Sequence, residues 1–159
     1  MRIAFDTNVV GYAEGLDDAV RCRQARDLLV ELQSHALVMP VQVAAELHRL
    51  VMRRSRVDAG QARIVVERWA NALPFRPPTT VQTWEAALDL AAEHRLQIFD
   101  AIVLAVSAEA GCSLLLSEDM QDGFVWRGLT VVNPFAGKLH PLLADLLGRA
   151  RSGSASVRR

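Results

Sequence analysis

Apolar residues along this chain follow two rhythms. Short unbroken runs, such as Ile3-Ala4-Phe5 and Leu114-Leu115-Leu116, stop abruptly at small polar or acidic residues. Runs of that kind predict buried strands, here over 3–5, 36–39, 113–116 and 129–132, with a brief further one around Phe75. Between them, apolar residues recur every three or four positions, as in Ala25, Leu28, Leu29 and Leu32, and that spacing predicts amphipathic helices. The helices fall over 17–33, 41–54, 59–73, 80–94, 100–110 and 139–147, with a shorter one over 8–14.

Turn chemistry supports these limits. Pro40 suits the first turn of a helix, where its missing N–H would be unpaired anyway. Asp58 is placed to cap the helix that follows it. Pro74, Pro77 and Pro78 form a connection that no helix crosses. Gly111 closes one helix, and Asn133-Pro134 stops the last strand. Short strands alternating with longer helices imply a mostly parallel sheet covered by helices, an α/β/α sandwich. With 159 residues and no internal repeat or linker, the chain reads as a single domain over 1–148. Its Ser/Gly/Arg-rich end, 149–159, is expected to be a disordered tail.

Composition narrows the class. The chain is 51% hydrophobic, yet no apolar run approaches the roughly 18 residues needed to span a membrane. The first residues lack a signal-peptide pattern, so the cytoplasm is the expected location. Cys22 and Cys112 lie far apart without CxxC spacing, which suggests neither zinc nor a disulfide framework. Acidic and basic residues balance at 18 each, so net charge points to no polyanionic partner. Distribution says more: Arg21, Arg23 and Arg26 form one group and Arg49, Arg53, Arg54 and Arg56 another. Both groups fit a solvated helix face, and both are compatible with phosphate contacts.

The candidate chemistry is carboxylate. Asp6 follows the first strand, at the end where open α/β sheets place ligand crevices, although it could equally cap the next helix. Glu46 borders the stripe Val43, Leu47, Leu50 and needs a partner there. That partner could be Arg49 or Arg53. Asp100 opens a helix that is apolar nearly all round, where capping is again an alternative. Asp119 and Asp122 follow the strand ending at Leu116, one helical turn apart, and turn chemistry before Gly123 would also account for them. Three or four carboxylates without a histidine or cysteine cluster suit a hard cation such as Mg²⁺ or Mn²⁺. Phosphoryl transfer to water is the chemistry that uses such a site. Gly-rich phosphate loops are absent, which disfavours nucleoside triphosphates. His35, His48, His94 and His140 are scattered, and Trp69, Trp84 and Trp126 read as core or interface residues.

The ordered set Phe5-Asp6-Thr7-Asn8, Ala45-Glu46-Leu47, Phe99-Asp100-Ala101 and Leu116-Ser117-Glu118-Asp119-Met120-Gln121-Asp122-Gly123 resembles PIN-domain ribonucleases, and within them the VapC-type toxins of bacterial toxin–antitoxin pairs. Val132-Asn133-Pro134-Phe135 is similar to the end of that domain, so the likeness runs from Arg2 to Phe135. The resemblance implies an endonuclease for single-stranded RNA that depends on Mg²⁺ or Mn²⁺. It implies that Asp6, Glu46, Asp100 and Asp119 are metal-binding and catalytic carboxylates, with Asp122 sharing or replacing the part of Asp119. Asn8 and Ser117 match supporting positions, and no residue is assigned to the RNA backbone. A homodimer and a small antitoxin covering the active site are implied as partners. Two other readings compete. One is a catalytically silent module of the same fold that binds RNA or protein. The other is a domain using Asp6 as a covalent phosphoacceptor, disfavoured because position 8 is asparagine and Lys138 is the only lysine.

Overall fold

The computed structural model describes residues 1–156, with side chains to residue 148. Five strands form one sheet in the order β2-β1-β3-β5-β4. Strands β1 (Arg2–Phe5), β2 (Ala36–Val38), β3 (Leu114–Leu116) and β5 (Leu129–Val132) are mutually parallel. Strand β4 (Val125–Trp126) pairs antiparallel with β5 at the edge. All residues of β3 and β5, and all but the first of β1, are buried. Alternate side chains of a strand point to opposite faces, so both faces of the sheet are covered. That is the α/β/α sandwich expected from the sequence.

The helices are α1 (Thr7–Glu14), α2 (Ala19–Leu32), α3 (Val41–Ser55), α4 (Ala59–Ala72), α5 (Val81–His94), α6 (Ile98–Glu109) and α7 (Pro141–Ser156). Several caps are legible in the sequence. Asp58 accepts from the Gln61 amide at 2.9 Å, Pro40 stands just before α3, and Gly111 turns the chain after α6 with φ +72°. Phe75 makes an isolated parallel bridge to Val38, in place of a full strand. Helix α7 runs beyond 147 to Ser156, through most of the segment expected to be a disordered tail. The last of that segment, 157–159, lies outside the described residues.

Sheet order sets the location of the site. From β1 the chain crosses to β2 on one side, and later to β3 on the other. The crevice between β1 and β3 at their carboxyl ends is therefore the topological switch point of the sheet. Pairing of Phe5 with Leu116 brings Asp6 and Ser117, the residues immediately after them, side by side.

Candidate active site

Asp6 caps α1 and is a member of the crevice as well. Its Oδ1 accepts from the Thr7 amide at 2.7 Å and its Oδ2 from the Ser117 hydroxyl at 2.7 Å. Its own amide donates to the Leu116 carbonyl at 2.9 Å, locking the β1 end to the β3 end. Capping and site geometry are therefore one arrangement. Asp6 is only 6% exposed, and burial pushes its carboxyl up to about 6, against the pull of the Ser117 and Thr7 hydrogen bonds. The negative charges of Asp100 and Glu46 push in the same direction as burial.

Glu46 stands on α3 and has no arginine partner among the described residues. Its Oε2 accepts from the Thr7 hydroxyl at 2.8 Å and its Oε1 from the Gln42 amide at 3.0 Å. The alternative pairing with Arg49 or Arg53 is not formed. Neutral donors hold the carboxylate in place and leave its charge uncompensated.

Asp100 lies in the first turn of α6, three residues after the true N-cap position at Gln97, so it is not the cap. The buried run from Ala101 to Ser107 anchors the helix behind it. Its carboxyl is raised above the ordinary value by burial and by the charges of Glu46 and Asp119.

Asp119 and Asp122 part company. Asp119 lines the crevice with Thr7, Asn8 and Glu46. Asp122 is exposed and accepts from the Asn133 amide at 2.8 Å, which stitches its loop to the residue after β5. It is the turn residue of the pair. Asn8 also lines the crevice; its Oδ1 receives the Glu118 amide at 3.5 Å, and its buried Nδ2 has no partner.

The sequence pattern does not single out Thr7, because its value lies in reaching across to Glu46, whereas Gln42 stands one turn before Glu46 on α3, a spacing the sequence does show. Nor does the pattern single out the brace beside Asp119. There Glu118 receives the Tyr12 hydroxyl and pairs with Arg21 at 2.6 Å, and the Arg21 guanidinium lies 5.1 Å from the centre of the Phe135 ring. The four histidines lie outside the set, and Trp69 serves α4 by donating to Glu14 at 2.7 Å.

Electrostatically, Asp6, Glu46, Asp100 and Asp119 are a connected set of repelling charges. Among the described residues no arginine, lysine or histidine pairs with any of them. All their donor atoms are oxygen, which fits a hard divalent cation and excludes a soft one. No three of the described acidic, histidine or cysteine side chains converge tightly enough to cage an ion as they stand. Mg²⁺ ordinarily takes one or two carboxylates and keeps several waters, so an open set of this kind fits it.

Residues 3–121 match the family model for the PIN domain. By sequence, no match is found among curated proteins. By structure, the chain is similar to the sarcin–ricin-loop-cleaving toxin VapC20 of Mycobacterium tuberculosis, with TM-score 0.58 and 20% identity over 71% of this chain and 86% of that one. It is also similar to VapBC2 of Rickettsia felis bound to a promoter DNA fragment, with TM-score 0.60 and 14% identity over 82% and 97%. A toxin–antitoxin complex from Klebsiella pneumoniae gives TM-score 0.58 and 19% identity over 84% and 98%.

Proposed function

The chain belongs to the PIN-domain family, and from that premise we propose that it is a metal-dependent endoribonuclease acting on single-stranded RNA, the toxin of a toxin–antitoxin pair. The observation that carries this reading is the set Asp6, Glu46, Asp100 and Asp119. The charges of Asp100 and Glu46 push the Asp6 carboxyl up, and those of Glu46 and Asp119 push the Asp100 carboxyl up. Among the described residues no ion pair neutralises any of the four. Charges held together in that way destabilise the fold unless something positive occupies the space between them.

Mg²⁺ or Mn²⁺, held among Asp6, Glu46, Asp100 and Asp119 by one or two of them directly and by the others through bound water, would neutralise charge on the scissile phosphate and lower the pKa of the attacking water. The chain's own contribution is to fix the ligands. Ser117 and the Thr7 amide orient the two oxygens of Asp6, and the Thr7 hydroxyl and Gln42 orient Glu46. Water attacks phosphorus, one P–O ester bond breaks as the new P–O bond forms, and the products end in a phosphate and a hydroxyl. Asp122 is committed to the Asn133 amide and is left out of the ligand set.

A small antitoxin partner and a cytoplasmic location belong to the same proposal. Two of the similar structures are of toxin–antitoxin assemblies, and no described helix is long and apolar enough to cross a membrane. A homodimer belongs to it too, through the exposed apolar stripe Val81, Trp84 and Leu88 on α5.

The test is incubation of the protein with end-labelled single-stranded RNA in Mn²⁺, in EDTA, and in Mn²⁺ with Asp6→Asn. Cleavage is expected in the first case alone. Intact RNA in all three overturns the enzymatic reading and leaves a silent binding module.

A further inference from the structure

A pocket of about 420 Å³, lined by Glu46 and Asp119 of the carboxylate set, lies between α1 and α3. Small-molecule sites begin at roughly 300 Å³, so it is large enough for one nucleotide. Gly11 helps shape its floor: a Cβ at that position would stand 2.8 Å from Leu50 Cδ2, so a larger residue would displace the Leu50 side chain that lines the same pocket. The inner end is acidic, with Glu46 and Asp119. The outer end carries Arg49, Arg53 and Arg54 from α3.

Those three arginines have no ion-pair partner among the described residues. Among the described residues, Arg21, Arg63 and Arg68 are the arginines that form ion pairs, with Glu118, Glu67 and Glu14. What sets Arg49, Arg53 and Arg54 apart is that they line one pocket together with the carboxylates. At 1.5 Å per residue, Arg49 and Arg53 stand about 4.5 and 10.5 Å along the helix axis from Glu46. A ladder of cations therefore leads away from the carboxylates, in the direction a phosphate backbone would leave the site.

We infer that this pocket is the subsite for the nucleotide next to the scissile bond, with Arg49 and Arg53 holding its phosphates and Arg54 beside them. The inference rests on the nuclease reading for the placement of the scissile phosphate at the carboxylate end. The pocket wall suits the rest of a nucleotide. Tyr12 and Leu16 offer ring and aliphatic surface, and Asp17 is a carboxylate able to accept from the N–H groups of a base. An acidic peptide is a poorer fit, because it has no planar base to lie against Tyr12 or to donate to Asp17.

The experiment measures binding without cleavage. A short fluorescein-labelled RNA of mixed sequence is titrated, by anisotropy in EDTA, with Asp100→Asn protein and with the same protein carrying Arg49→Ala and Arg53→Ala. Arg63→Ala, which removes an arginine on α4, is the control. Each lost phosphate contact lowers the slope of log affinity against log salt by about 0.7 for a single strand. The double variant is therefore expected to bind at least about tenfold more weakly, with a slope shallower by about 1.4, and the control to match its parent. Arg49→Lys with Arg53→Lys keeps the charge and should retain the slope, which separates phosphate contact from any disturbance of α3. Unchanged affinity and slope in the double alanine variant overturn the inference. So does arginine-dependent binding of a polyglutamate peptide tighter than that of RNA. Because no cleavage is read, loss of the nuclease reading alone would leave arginine-dependent RNA binding intact.

Discussion

The Ser117 hydroxyl donates to Asp6 Oδ2 at 2.7 Å across 111 positions of sequence. The bond joins the residue after β3 to the residue after β1, and it is buried at both ends. Ser117 Oγ also receives the Met120 amide at 3.3 Å, so one hydroxyl both orients the first carboxylate and starts the turn that presents Asp119.

Removing that hydroxyl should therefore act on two carboxylates at once. Ser117→Ala is expected to lift the Asp6 carboxyl above its value of about 6, because the bond to Ser117 is the strongest influence opposing burial there. It should also lower RNA cleavage by roughly 10- to 100-fold, the usual loss when a group supporting a metal ligand is removed. Carboxyl NMR titration and a cleavage time course are the measurements. An unmoved Asp6 titration would show that the bond does not tune that group.

Asp6 also predicts how stability follows pH. Its folded value of about 6 lies above the ordinary 3.8, so the native state holds the proton more tightly than the unfolded chain. Between pH 4 and pH 6 the native state retains more protons, and the metal-free protein loses stability as pH rises through that window. The loss from this one group is about 3 kcal/mol, complete above pH 6 and absent well below pH 4. Asp6→Asn lacks the titration. Urea unfolding in EDTA should thus show the variant gaining on the wild type by a few kcal/mol between pH 4 and pH 7. Parallel pH profiles for the two proteins would contradict the burial argument.

Metal affinity should separate the two neighbouring aspartates. Asp119→Asn is expected to weaken Mn²⁺ binding at least tenfold, read as a smaller melting-temperature gain in millimolar Mn²⁺. Asp122→Ala removes the acceptor of the Asn133 amide, and should cost about 1 kcal/mol of stability with the Mn²⁺ midpoint unchanged. The opposite pattern would make Asp122 the ligand.

The proposed homodimer has a direct test on α5. Val81, Trp84 and Leu88 recur along one helix face, and Trp84 is 46% exposed. Trp84→Arg places a charge in that patch without touching the core. Sedimentation velocity at micromolar concentration should show a dimer for the wild type and a monomer for the variant, with equal circular dichroism. A wild-type monomer, or a variant dimer, would remove α5 as the interface.

The sequence by itself determined the layers and the chain order of the acidic residues. Apolar runs of β1, β3 and β5 are read directly because a strand buried on both faces has no polar positions to confuse the pattern, and helix caps such as Asp58 are read because capping is local chemistry. Strand β4 escaped that reading, since two residues carry no period. The start of α6 was displaced because Gln97, which lacks a capping side chain, takes the cap position ahead of Asp100.

Tertiary structure alone decided which polar groups meet. Whether Glu46 would pair with an arginine depended in part on Thr7, 39 positions away. Whether Asp119 or Asp122 would enter the crevice depended on a contact with the residue after β5, 11 positions on. Thr7 and Gln42 settle the first by occupying both oxygens of Glu46. The Asn133 amide settles the second by drawing Asp122 to the end of β5. Helical or strand periodicity reports which face a residue occupies and carries no information about its partner across the fold. The unpaired arginines of α3 were visible in the sequence as a charged run, but only the packing of α1 against α3 makes them one wall of a pocket.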